Sequence, residues 1–250
     1  FVPETEIRIT KAQLHIRTLN TNALPDIQKA IQKVLHKSQF DVKSTHVYSQ
    51  KEIVAKTNIK EHYHKVVASA VEEIKAGKYQ KVILSRQAEL PIDIQMAENF
   101  LFGRRNNTPA RSFLLSMDNF SAYGFSPETV LEVDNNNYLS TQPLAGTRAL
   151  PVDPEQARQL KQELLTDPKE IAEHAMSVKL ALEELENVCS INSVHVTEFM
   201  SVVERGSVQH LASRVSGQLA DDKSRWDAFK MVFPAITASG IPKRESIKAI

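Results

Sequence analysis

Apolar and polar residues alternate along residues 6–19 (EIRITKAQLHIRTL), the period-two pattern of a half-buried hairpin. The period then lengthens. Residues 24–36 place Ile27, Ile31, Val34 and Leu35 on one helical face, and residues 59–76 do the same with Val66, Val67, Ala70, Val71 and Ile74. Gly77 is a stop signal for the second helix. Between the two helices, residues 41–57 keep neither period and read as a loop. KVILSRQAEL (81–90) predicts a strand, and a short helix is expected at about 95–104. Four apolar runs follow at 111–117, 121–125, 129–133 and 138–144. Asp118-Asn119 and Asp134-Asn135-Asn136-Asn137 supply turn chemistry between them, so the run reads as an antiparallel meander. Helices at about 154–165 and 168–188, strands at 194–203 and 209–219, and a helix at 224–233 carrying Trp226, Phe229, Met231, Val232 and Phe233 complete the pattern.

Helices cluster apart from strands instead of alternating with them. That is an α+β arrangement, with largely antiparallel sheets flanked by helices. The 7 glycines are too few for linkers, so residues 1–250 read as a single domain. Net charge is +1, which leaves no basic excess for a nucleic-acid backbone or an anionic membrane. No apolar run approaches the ~20 residues of a membrane span, and residues 1–20 lack a signal peptide's apolar core. The one cysteine, Cys189, excludes an internal disulfide and fits a reducing compartment, as a small buried hydrophobe. These features point to the cytoplasm. The chain opens on Phe1, and the stretch from Pro242 reads as a helix cut short, so it is expected to be incomplete at both ends.

Candidate chemistry begins after Thr166. Asp167, Pro168 and Glu170 have the spacing of a capping box with proline at the first helical position, which by itself accounts for Glu170. Glu173 has no such explanation. It shares a helix face with Glu170, and two like charges there call for a cation between them. A hard divalent ion suits that arrangement; a Glu170–His174 pair is the structural alternative. Lys81 opens an apolar strand. It is either a strand-end lysine reaching solvent or a cleft-facing base with a pKa lowered by desolvation. Glu128, in Ser126-Pro127-Glu128, is either a turn residue or a buried acid able to donate a proton. The small-residue stretches 145–148 and 237–240 read as loops where backbone approaches a ligand. His210 opens a strand, where a satisfied, partly buried ring is the commoner case.

Six segments, in this order and spacing, resemble the chorismate-utilising enzymes: KVILSR (81–86), FSPE (125–128), QPLAGTR (142–148), DPKEIAEH (167–174), RGSVQHL (205–211) and FPAITASGIPK (233–243). The group includes anthranilate synthase large subunits, aminodeoxychorismate synthase, isochorismate synthases and salicylate synthases. The resemblance runs from about residue 60 onward and is loose before it. TASGIPK, RRNNTPARSFLL (104–115) and a lysine at position 81 are most similar to the salicylate synthases; the ammonia-using members usually carry glutamine at that position.

The resemblance implies the anthranilate synthase large-subunit fold and a Mg²⁺-dependent conversion of chorismate to isochorismate, then to salicylate and pyruvate. Lys81 would deprotonate water for attack at C2, and Glu128 would protonate the departing C4 hydroxyl. Glu170 and Glu173 would hold Mg²⁺, directly or through water. Gly146, Thr147, His210 and Thr237 would line the substrate pocket. Chorismate is a dianion, so a nearly neutral chain with acidic metal ligands needs that cation to bind it. The resemblance also implies siderophore biosynthesis, a monomer, and further residues beyond position 250: another metal-binding glutamate, and an arginine and a tyrosine that grip the pyruvyl group. The 250-residue stretch is therefore expected to be inactive alone. The alternatives are an isochorismate synthase that releases its product, an anthranilate-type component, and a non-catalytic binding module.

Overall fold

The computed structural model describes residues 3–36, 60–87 and 94–250. The loop expected at 41–57, the first residue of the 59–76 helix and the end of the 81–90 strand lie outside the described residues. The fold divides into two compact units, Phe1–Thr45 and His46–Ile250.

In the first unit, β1 (Thr5–Ile9) and β2 (Leu14–Thr18) form the expected antiparallel hairpin, with Ile7 opposite Ile16. Thr10 closes its turn, accepting the Gln13 N–H at 3.0 Å. Helix α1 (Leu24–His36) follows. Ile27 and Ile31 are partly buried. Val34 and Leu35, expected on the same covered face, are exposed.

In the second unit the first described element is α2 (Lys60–Lys75). Its inward face is Tyr63, Val66, Ala70 and Ile74, a single i, i+3, i+7, i+11 row. Val67 and Val71 lie off that row and are exposed, contrary to expectation. Gly77, at φ +75°, turns the chain out of the helix. Among the described residues, β3 covers only Lys81–Val82 of the expected strand, paired with an equally short partner. Next come α3 (Met96–Arg105), β4 (Arg111–Met117), β5 (Phe120–Ser126), β6 (Thr129–Val133), β7 (Tyr138–Gln142) and β8 (Leu144–Ala149). Helices α4 (Pro154–Thr166) and α5 (Pro168–Glu186) precede the long strands β9 (His195–Arg205) and β10 (Val208–Gln218). The described chain ends with α6 (Arg225–Val232), β11 (Gly240–Ile241) and α7 (Lys243–Ala249).

The expected meander is split. β4 and β5 form a separate hairpin, whereas β6, β7, β10 and β8 join in that order with β9 also on β10. All pairs are antiparallel. Stretch 145–148, expected to be a loop, is most of β8. Its small side chains let α5 pack closely over the strand.

Helix packing covers the five-stranded sheet and the separate hairpin in turn. His174, Ser177, Val178, Ala181 and Leu185 form the buried face of α5. Val178, Ala181 and Leu185 meet Leu139 of β7 and Val215 of β10, with Ala228 and Val232 of α6 closing the cluster. Burying a side chain such as Leu185 contributes about 1.5–3 kcal/mol. Cys189 joins this core, and burial pushes its thiol up to about 11, so it packs as a hydrophobe. The β4–β5 hairpin rests on α3, where Phe100 stacks on Phe125 at 5.5 Å between ring centres. Among the described residues, no helix is long and apolar enough to cross a membrane.

Candidate active site

The capping sequence at Asp167 builds the acidic side of the site. Asp167 accepts N–H bonds from Lys169 (2.9 Å) and Glu170 (3.3 Å), with Pro168 at the first position of α5. The reciprocal half of the expected capping box is missing for a physical reason. Asp167 also ends α4, and its own N–H already donates to the Glu163 carbonyl at 2.9 Å. Glu170 is therefore free to turn to Arg148 of β8, whose Nη1 lies 3.2 Å from its Oε1. Arg148 also donates to Asp167 at 2.7 Å, so one guanidinium ties the α4–α5 junction to the sheet. Arg148 stands in a motif quoted above, yet its partners follow only from the packing of α5 on β8.

Glu173 sits one turn further along α5. Its Oε1 accepts from Lys81 Nζ at 2.8 Å, across 92 residues of sequence. The Lys81 bond holds the Glu173 carboxyl below its usual range, against a smaller opposing effect of burial. Lys81 is placed by the far end of the chain. β3 pairs with β11, and Ser246 Oγ donates to the Lys81 carbonyl at 2.8 Å. Gly240, at φ +142°, is required there, because a Cβ would collide with that same carbonyl.

Glu128 lies at the mouth of β6. Thr237 donates to its Oε1 at 2.6 Å and the Leu144 N–H to its Oε2 at 3.2 Å. Burial pushes the carboxyl above its usual range; the two hydrogen bonds and the charge of Lys81 pull the other way and lose. Glu128, Thr237, Gln142, Ser177 and Glu184 line a small cleft of about 30 Å³. Glu184 is paired with Lys243 in its wall, a pair not anticipated from sequence.

On β8 and β10, Thr147 Oγ1 is 2.9 Å from His210 Nδ1. Burial lowers the His210 pKa, which favours the neutral ring. Gly146, at φ +88°, is pressed against Glu170, whose Oε2 would lie 3.1 Å from a Cβ at this position. His174 does not pair with Glu170, as one expectation had it. It is fully buried and bonds Ala145 and Ser213 instead.

The eight candidate residues thus fall into two contact groups, each anchored on α5: one on Glu170 and one on Glu173. Glu170 touches Gly146; Thr147 pairs with His210; Glu173 holds Lys81; Lys81 acts electrostatically on Glu128; Glu128 holds Thr237. Among the described residues, no group of three acidic, histidine or cysteine side chains converges on a metal position. Glu170 and Glu173 alone fit a magnesium ion in donor chemistry. It commonly takes one or two carboxylates and completes its shell with water and substrate oxygens. Both carboxylates here are already neutralised by cationic side chains.

The sequence profile of the chorismate binding enzymes matches residues 1–250. Over 189 residues the chain is 47% identical to the salicylate synthase of Mycolicibacterium paratuberculosis, covering 76% of this chain and 42% of that protein. The fold matches anthranilate synthase component I from Streptococcus pneumoniae with a TM-score of 0.76 at 24% identity, over 96% of this chain and 54% of that one. An isochorismate synthase from Bacillus anthracis matches with a TM-score of 0.63 at 28% identity, over 76% and 52%. The chain spans about half the length of the relatives it matches.

Proposed function

The chain belongs to the family of chorismate binding enzymes, and from that membership we propose that it carries the catalytic residues of a Mg²⁺-dependent salicylate synthase. The carrying observation is the set of contacts that brings a lysine and a carboxyl with a raised pKa to the helix bearing two further carboxylates, from three distant stretches of sequence. The 47% identity to a salicylate synthase and the lysine at position 81 favour this reading over the other members of the family.

Lys81 Nζ takes a proton from water as the water oxygen bonds to C2 of chorismate. The ring double bonds shift, the C4–O bond breaks, and Glu128 delivers its proton to the departing hydroxyl, giving isochorismate. Burial suits Glu128 to this work, because it keeps the carboxyl protonated at higher pH than an exposed one. Isochorismate then loses pyruvate as hydrogen passes within the molecule and the carbon–oxygen bond to the pyruvyl group breaks. That step needs a held conformation more than another acid or base. Gly146, Thr147 and His210 on one side and Thr237 on the other supply the walls. Glu170 and Glu173 would hold Mg²⁺, which when bound supplies positive charge for the substrate carboxylate. For both roles to be met, Glu173 must exchange Lys81 for the ion, which frees the Nζ to face water. Siderophore biosynthesis, a monomeric state and a cytoplasmic location complete the reading; the lone buried thiol of Cys189 supports the last.

The test is incubation of the intact protein with chorismate and Mg²⁺, with products resolved by chromatography. Salicylate and pyruvate in equal amounts are expected. Accumulated isochorismate without salicylate would replace this reading with that of an isochorismate synthase, and ammonia-dependent anthranilate would replace it with that of an anthranilate synthase.

A further inference from the structure

Both β8 and β9 bulge against β10. On β8, Ala145 and Gly146 stand against Leu211 alone; on β9, Phe199 and Met200 stand against Ser213 alone. A bulge takes backbone groups out of the ladder, and buried ones need other partners. One buried side chain serves both bulges. His174 Nδ1 lies 3.1 Å from the Ala145 carbonyl, and its Nε2 lies 2.7 Å from Ser213 Oγ. A carbonyl only accepts, so Nδ1 carries the hydrogen of the neutral ring. Ser213 then donates to Nε2 and accepts the Met200 N–H at 3.0 Å. Met200 is held at φ +50°, a conformation a non-glycine residue keeps only when its surroundings fix it.

The β8 end of this relay reaches the site. The next residue, Gly146, is confined between Glu170 and Leu211, where a Cβ would lie 3.1 Å and 3.3 Å from them. A shift of the Ala145 carbonyl therefore carries Gly146 against Glu170 and moves Thr147 relative to His210. His174 also directly follows Glu173 on α5, so the same helix turn presents that carboxylate and clamps β8.

We propose that His174 is a positioning residue. Through the Ala145 carbonyl it fixes the Gly146–Thr147 backbone, and with it the Thr147–His210 pair that meets the substrate. Its effect on substrate rests on the chorismate reading; its effect on the backbone does not.

Two isosteric halves of the imidazole separate the arms of the relay. In His174→Asn the amide nitrogen replaces Nδ1 and keeps the Ala145 bond. In His174→Gln the amide oxygen takes the place of Nε2, accepts from Ser213 and keeps only that bond. Both variants remain polar and are compared in the intact protein. His174→Asn should stay within about threefold of the native KM for chorismate. His174→Gln should raise KM about tenfold, the usual scale of one lost hydrogen bond. Melting temperatures should fall similarly in both. Amide hydrogen exchange at Gly146 and Thr147 should be severalfold faster in His174→Gln than in His174→Asn. Equal exchange, or equal KM at equal melting temperature, would overturn the proposal and leave His174 as core packing. If the native protein neither binds nor consumes chorismate, the functional reading falls, and the exchange rates still decide the positioning role.

Discussion

Burial sets the Glu128 carboxyl against its own hydrogen bonds, and burial prevails. Folded protein then binds more protons than the unfolded chain once the pH passes the ordinary 4.5. The stability Glu128 lends at low pH is lost as the pH rises through its raised value. Glu128→Gln has no such loss. Its melting temperature relative to the native protein should therefore climb between about pH 4 and pH 8, while salicylate formation falls. A difference that stays flat with pH would remove the case for Glu128 as the acid. Lys81 makes a second test. In Lys81→Met, isochorismate formation should drop about 10²–10⁴-fold, the usual worth of a general base, and pyruvate loss from supplied isochorismate much less. The same change removes the cation that competes for Glu173. Calorimetry with Mn²⁺ should show binding about two- to fivefold tighter, the scale of a partly exposed ion pair. Sequence nominated Lys81, Glu128, Glu170 and Glu173 because motif spacing survives without coordinates. It missed Arg148 and Ser213 as partners, because these are chosen by which helix lies over which strand.

Helices were legible where period and caps agreed. α4 and α5 begin at Asp153-Pro154 and Asp167-Pro168; the second start was read from its cap and proline, the first only from the range of its helix. Strand lengths were less so, since a strand is only as long as its partner. KVILSRQAEL has the composition of a full strand, but its partner is Gly240–Ile241, so among the described residues pairing covers only Lys81 and Val82. Val67 and Val71 failed similarly: apolar residues two faces wide exceed what the neighbouring elements cover. Gly240 is where an element depends on one residue. Gly240→Ala forces a side chain against the Lys81 carbonyl and into a backbone conformation that L-residues avoid. It should cost about 1–3 kcal/mol in chemical denaturation and lower kcat, because the displaced strand carries Lys81. Native kcat in a destabilised Gly240→Ala protein would show that the β3–β11 pairing does not place the lysine.

Across the whole molecule, the sheet order was the least legible feature. β10 pairs with β7, β8 and β9, and no local pattern encodes a strand with three partners. The β4–β5 hairpin leaves Phe113, Leu114, Leu115, Met117 and Phe120 exposed, a density of exposed apolar side chains that makes the hairpin prone to association. Residues 1–250 expressed alone should associate as concentration rises, seen by size-exclusion chromatography with light scattering. Phe113→Ser with Phe120→Ser should reduce that association; an unchanged profile would place the sticky surface elsewhere. The tie between Ser246 and Lys81, 165 residues apart, also orders events in time. Closing so long a loop is slow and yields little until it is complete. On the ribosome, at about 5–20 residues per second, roughly 10–30 s separate the emergence of the lysine from that of its anchor. A chaperone has that interval in which to act; a substrate does not. Any ligand bridging Lys81 and Glu173 can stabilise the finished fold, but it cannot hasten the steps that lead there.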